Sequence, residues 1–340
     1  MVQMTAARQI YFLRGVNMST NNNITVAVDV KSVAEIAGIK VTLIQSKNSK
    51  DSYPEIRQYS ETGKINTLSV KIFLNVNGLL SMKDLLDPKC DFEPIAAGLF
   101  MAFKKGILSL NCTKQTGVLN YTPIRISTSM GGKMKDVWAV STLSLVNPMC
   151  LRRMKINGIV CRHCYVKRSL HITAILNYVQ NFFVLTAGEI VSEFIPVLNP
   201  ACVNKHPLVR LESMGDLANT IQAENYLRIA AANAAAGFRF ALWTKNPNYL
   251  KQAIDSYGKP ENLSTVWSMS RVNVMDNDAD RWNDYFDHRF IVVDGQDLKD
   301  QYLAKNGFYP CKCGRRSCIT CQECYTRRAT VETAVELLRK

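Results

Sequence analysis

The stretch Val137–Arg168, VWAVSTLSLVNPMCLRRMKINGIVCRHCYVKR, joins a strand-like run to three cysteines. Val137–Leu145 is apolar and rich in residues that favour extended backbone, so it predicts a strand that delivers the chain to Cys150. Cys161 and Cys164 follow as a C-x-x-C pair, with Tyr165 directly after them. Two thiols at that spacing grip one soft centre, because the backbone between them turns tightly around it. Thiolates favour zinc or iron–sulfur clusters over hard cations. A closed structural zinc site wants four ligands, whereas three leave one position open for chemistry. His163 lies inside the pair, an awkward place for a fourth ligand.

Beyond the cysteines the pattern alternates. Ser169–Thr186 predicts a helix with Leu170, Ile175, Tyr178 and Phe182 on one face. Leu208–Glu212 predicts a strand ending in Ser213-Met214-Gly215-Asp216, and Leu217–Ala236 a helix stopped by Gly237. Phe238–Trp243, Leu263–Ser268 and Arg289–Val293 predict further strands, with a helix around Asn248–Ser256. Strands and helices in this alternation imply parallel βαβ units. About five strands suit an α/β fold of the partial parallel (β/α) barrel type, TIM-like, in which functional residues sit at the C-terminal strand ends. That rim would collect the three-cysteine loop, Gly215-Asp216, Thr244-Lys245-Asn246 and Ser268-Met269-Ser270. A Gly-Asp turn lets backbone approach a ligand while a carboxylate meets an ammonium group, although the same pair also makes an ordinary βα turn. Lys245 and Asn246 are candidate substrate contacts, or simply polar residues that start a helix.

The remainder divides into three parts. Residues 1–17 read as a loose tail ahead of Met18, and residues 18–130 as a mixed α/β extension. Within the extension, Ile24–Val30, Val41–Ile44 and Leu68–Asn77 are strand-like, Ala96–Lys104 is a short helix and Lys47–Lys64 an exposed loop. Residues 131–305 form the (β/α) core, and 306–340 a cysteine-rich metal segment with a C-terminal helix. In that segment Cys313, Cys318, Cys321 and Cys324 are spaced C-x4-C-x2-C-x2-C, four soft ligands on a short loop, with Cys311 a competitor. Spacing alone leaves zinc and an iron–sulfur cluster both open. Eight of the eleven cysteines thus fall in two groups, while Cys90, Cys112 and Cys202 read as small buried hydrophobes.

A hydrophobic content of 47% over 340 residues supports a real core, and no run approaches the roughly 18 apolar residues of a membrane span. An odd cysteine count with no apolar leader argues for a reducing, cytoplasmic setting rather than a disulfide framework. The formal charge of +14 suits nucleic acid or another anionic partner. No Walker loop, H-E-x-x-H or convincing Ser-His-Asp set occurs, and His163, His171, His206 and His288 are too scattered for a metal triad.

The rim residues resemble those of the radical S-adenosylmethionine (SAM) enzymes. The resemblance implies a [4Fe–4S] cluster on Cys150, Cys161 and Cys164, with ten residues between the first two ligands, and SAM on its open iron. Gly215 and Asp216 would then receive the SAM amino group, Ser268 its ribose, and Tyr165 would be the aromatic residue beside the cluster. The terminal cysteines would carry a second cluster or zinc. An electron donor such as a flavodoxin or ferredoxin and an unknown substrate follow from the same likeness. From Gly132 to Lys340 the chain also looks like a phage and prophage family named for gene product 88, through WAVSTLSLVNPMC, CRHCYVKR, RLESMGDLANTIQAENYL, FRFALWTKN and CGRRSCITCQECYT. That likeness implies a bacterial host cell and no particular reaction. The alternative is a zinc-stabilised, basic nucleic-acid-binding protein without catalysis, in which Tyr165, Tyr325, Arg315 and Arg316 flank the cysteines.

Overall fold

The computed structural model describes residues 28–30, 41–43, 110–128, 130–164, 166, 172–275, 279–311 and 317–338. Strands β1 (Val28–Val30), β2 (Val41–Leu43), β3 (Leu110–Lys114) and β4 (Tyr121–Thr122) form a small mixed sheet. Only the β2–β3 pairing in it is parallel. The elements expected at Leu68–Asn77, Ala96–Lys104 and Lys47–Lys64 lie outside the described residues.

The main body is a seven-stranded sheet, all of whose neighbouring strands are parallel. Its strands are β5 (Trp138–Val140), β6 (Leu208–Leu211), β7 (Arg239–Thr244), β8 (Leu263–Val272), β9 (His288–Val293), β10 (Phe308–Pro310) and β11 (Glu332–Leu337). Their order in space is β10-β11-β9-β8-β7-β6-β5, so β10 and β5 are the edges. Among the described residues five helices of seven residues or more accompany them, besides the single turn Cys318–Cys321: α1 (Pro148–Met154), α2 (Ile172–Ala187), α3 (Thr220–Ala232), α4 (Pro247–Tyr257) and α5 (Gln296–Leu303).

From β5 to β9 each strand is laid beside its predecessor in one direction. Right-handed crossovers then put the connecting helices on one face. The packing agrees: Val140, Leu211, Leu242, Trp267 and Val293 share a core with Tyr226, Leu227 and Ala230 of α3 and Leu250 and Ala253 of α4. Strands covered on both faces need apolar residues throughout, and β9 is buried along its whole length. The helix expected over Leu217–Ala236 is shorter at both ends. Asn219 caps it by accepting from Gln222 N at 2.9 Å, and Gly237, at φ +81°, turns the chain into β7.

Direction reverses at the end of the chain. Strand β11 inserts between β9 and β10, so the same handedness rule throws the β10–β11 connection onto the other face of the sheet. That connection is the cysteine-rich segment. Tyr325, Ile319, Cys318 and Cys324 pack on Val137, Leu208, Ala241 and Trp243, while Tyr309, Cys311 and Cys324 pack against Val266, Phe290 and Val292. Ser264 Oγ and His288 Nε2 both donate to the Thr326 carbonyl, at 3.3 and 2.7 Å.

Two expectations are corrected here. The last described element is a strand, not a helix, and β10 and β11 add two parallel strands that local pattern did not reveal. The reason is tertiary. Ala334 and Val335 fill a slot between flanking strands, which overrides the helical preference of VETAVELL. No helix among the described residues is long and apolar enough to cross a membrane.

Candidate active site

The C-terminal ends of β5, β6, β7 and β8 converge with α1 and the cysteine loop. Asn147 begins the assembly. Its side chain accepts from Met149 N at 2.9 Å and donates to the Asp216 carbonyl at 2.8 Å, tying the helix that carries Cys150 to the turn after β6. Pro148 at the first helical position suits this cap. One turn on, Arg153 reaches Asp216 Oδ2 at 3.4 Å, the Lys245 carbonyl at 3.2 Å and Asn246 Oδ1 at 2.8 Å. The Asn-Pro cap and Arg153 therefore fix α1 against the ends of β6 and β7.

Asp216 is the hub of this network and is 4% exposed. Besides Arg153, its carboxylate accepts from Leu217 N at 2.8 Å, Thr244 Oγ1 at 2.7 Å and Lys245 N at 3.1 Å. The resemblance casts this carboxylate as the receiver of a ligand amine, but here protein donors already surround it. Gly215 also has a different physical reason from the one expected. A Cβ at Gly215 would overlap Thr142 Oγ1 and Glu212 Oε2 and lie 2.8 Å from the Thr142 carbonyl oxygen. The glycine allows the exits of β5 and β6 to pack together.

The cysteine loop returns to the same rim. Ile159 bridges Arg271, and Val272 N donates to the Gly158 carbonyl at 3.1 Å, pinning the returning limb to the end of β8. Leu151–Val160 is thereby a defined excursion, with Cys161 and Cys164 at its end. Cys150 is buried, and Cys161 and Cys164 are partly so. Burial is the main force raising all three thiols above their ordinary range. Cys150 is raised further by Asp216, Cys161 and Cys164, and Lys245 opposes the rise at each of the three sulfurs. The three thiols thus share one neighbourhood, with one ammonium facing it. Lys245 Nζ also donates to Ser268 Oγ at 3.1 Å, so the two strand-end candidates on β7 and β8 form a pair.

Among the described residues no three His, Cys, Asp or Glu side chains stand as a ready-made metal cage. The chemistry of the donor set nonetheless fits a soft metal centre. Desolvation penalises buried thiolates until a cation compensates them. Ser144 Oγ supplies a second sign of fit. It is sealed from solvent without a nitrogen or oxygen partner, and the group it favours is the ionised sulfur of Cys164.

Tyr165 and Cys313 lie outside the described residues. Cys318, Cys321 and Cys324 are partly buried, as is Cys311. Cys311 and Cys324 pack on one patch with Tyr309, whose phenol is raised first by burial and then by Cys324, Glu323, Glu332 and Cys311. Val160, adjoining Cys161, packs on that patch too, so the cysteine loop touches the patch that Cys311 and Cys324 line.

Sequence reasoning missed Arg153, Ser144 and Glu212. Glu212 holds an unusual left-handed φ of +59° and is 3% exposed. Thr142 Oγ1, Gln222 Nε2 and Tyr226 Oη donate to it at 2.9, 2.5 and 2.5 Å. Burial nevertheless raises its carboxyl to about 7. The one signal in the sequence was a glutamate placed directly after an apolar strand.

Comparison with protein-family models, curated proteins and solved structures found no match. Function must be read from the site.

Proposed function

We propose that the protein is an iron–sulfur enzyme resembling the radical SAM enzymes, with a [4Fe–4S] cluster on Cys150, Cys161 and Cys164. The carrying observation is that the helix bearing Cys150 and the loop bearing Cys161 and Cys164 adjoin the C-terminal ends of consecutive parallel strands, where Lys245 pairs with Ser268 and Asp216 with Thr244. The sheet, laid down in one direction from β5 to β9, is in this reading a partial TIM-like barrel. Such a barrel carries its chemistry on that rim.

When bound, the cluster would supply an electron for reductive cleavage of SAM. The chain's own residues bind and orient. Lys245 and Ser268, a cation joined to a hydroxyl beside the thiols, suit the carboxylate and ribose oxygens of SAM. Asp216 acts as a positioning residue. It holds Arg153, and through it the helix bearing Cys150, in register with β7. Burial of Cys150 and Asp216 excludes water from the centre. The terminal cysteines would hold a second cluster or zinc over the non-helical face, with Cys311 a competing ligand.

The test is to reduce anaerobically purified protein in the presence of SAM and to assay for 5′-deoxyadenosine. Slow formation without added substrate, abolished by Cys161→Ala, is the expected result. A full cluster that neither binds nor cleaves SAM would remove this reading and favour the zinc-stabilised nucleic-acid-binding alternative.

A further inference from the structure

Below the rim, the non-helical face of the sheet carries a guanidinium with no counter-charge among the described residues. Arg210, on β6, stacks on the Trp243 ring of β7 with its Cζ 3.7 Å from the ring centroid, and Trp243 in turn meets Phe290 of β9 at 4.8 Å. Arg153, Arg228, Arg239, Arg289 and Arg328 each meet an oxygen acceptor. Arg210 meets none. Its Nε and the neighbouring Trp243 Nε1 are both sealed from solvent without an acceptor. Buried donors without partners are uncommon, and two of them in one stacked pair mark a place that lacks an acceptor.

The stack also prescribes the ligand. A guanidinium lying flat on an indole offers its edge, not its face, and that edge matches the paired oxygens of a carboxylate or phosphate. The electrostatics agree. Asp216, a carboxylate on the rim, already serves Arg153, and Glu212 at the end of β6 bonds Thr142 and α3 on the helical side. Neither is an ion-pair partner of Arg210.

We propose that Arg210 and Trp243 form an anion-binding subsite that receives a carboxylate or phosphate group of a small ligand. In the enzyme proposed above, this would seat the acidic group of the substrate beneath the Lys245–Ser268 pair. That assignment to substrate rests on the enzyme reading, whereas anion binding itself does not.

The experiment is isothermal titration of the purified full-length protein, without SAM, with inorganic phosphate and separately with succinate at fixed low ionic strength. The expected result is saturable binding of one anion per chain, the better probe identifying the phosphate or carboxylate class. Loss of a charge-assisted bond predicts binding about tenfold or more weaker in Arg210→Gln. Arg210→Lys keeps the charge but loses the planar fork, and should also bind about tenfold more weakly with unchanged metal content and melting. No saturable binding by the natural protein, or equal binding by Arg210→Gln, would overturn the inference. Deoxyadenosine formation is measured separately on the same preparations, so a failure here is distinguishable from a failure of the enzyme reading.

Discussion

Replacing Asp216 with alanine separates two roles for this carboxylate. In the structure it accepts from Leu217 N, Thr244 Oγ1 and Lys245 N and pairs with Arg153 at 3.4 Å. Alanine leaves three donors without their acceptor and removes the counter-charge of a largely buried guanidinium. Each orphaned donor costs about 1–3 kcal/mol, and breaking a buried pair from one side about 3–5 kcal/mol. These terms overlap, and Arg153 retains the Lys245 carbonyl and Asn246 Oδ1, which favours the lower part of the sum. The expected loss is about 3–5 kcal/mol for Asp216→Ala. Asp216→Asn keeps one acceptor oxygen but turns an amide toward other donors, for about 1–3 kcal/mol. Urea unfolding followed by circular dichroism would measure both. A loss below about 1 kcal/mol for Asp216→Ala, together with markedly weakened SAM binding, would refute the strut and restore the carboxylate as a ligand contact.

Other residues yield sharper local tests. Glu212 has its carboxyl raised from 4.5 to about 7, so its contribution to stability is present below pH 4.5 and is lost as pH rises through 7. The difference is about 3 kcal/mol by linkage, and Glu212→Gln should flatten the stability profile across that window in pH-dependent urea titrations. Gly215→Ala places a methyl group inside contact distance of Thr142 and Glu212, which should cost about 1–3 kcal/mol and lower the melting temperature of purified protein. Tyr325 is 5% exposed in the patch that joins the cysteine segment to β5, β6 and β7. Tyr325→Ala should cost about 3–5 kcal/mol, and metal chelation should lower the melting temperature through the same segment.

Much of the main sheet was legible because its signals are local. The run VWAV, the apolar strands near Leu208, Phe238, Leu263 and Arg289, and the stop at Gly237 each follow from side-chain pattern and turn chemistry. Strands β10 and β11 were not, because their partners lie far along the chain and their residues carry no strand period of their own. The rim was legible as a convergence of strand ends, from which Lys245 and Ser268 follow. Asp216 and Gly215 were found as a strand-end pair, but the contacts that hold them were not. A sequence shows a carboxylate after a strand, whereas only three-dimensional placement shows Arg153, Thr244 and Lys245 around it. Arg210 is silent in the sequence for the same reason, since an arginine within a strand is ordinary until its counter-charge proves missing.

The central claim is that Cys150, Cys161 and Cys164 hold one iron–sulfur centre. It is tested most directly by iron and acid-labile sulfide per chain in protein purified without oxygen, measured for the natural sequence and for alanine at each of the three positions. The account predicts that each substitution removes the same portion of iron and sulfide and the same visible absorption, leaving the metal of the terminal cysteines in place. Zinc alone in the natural protein, or a full iron content retained by Cys150→Ala, would contradict it.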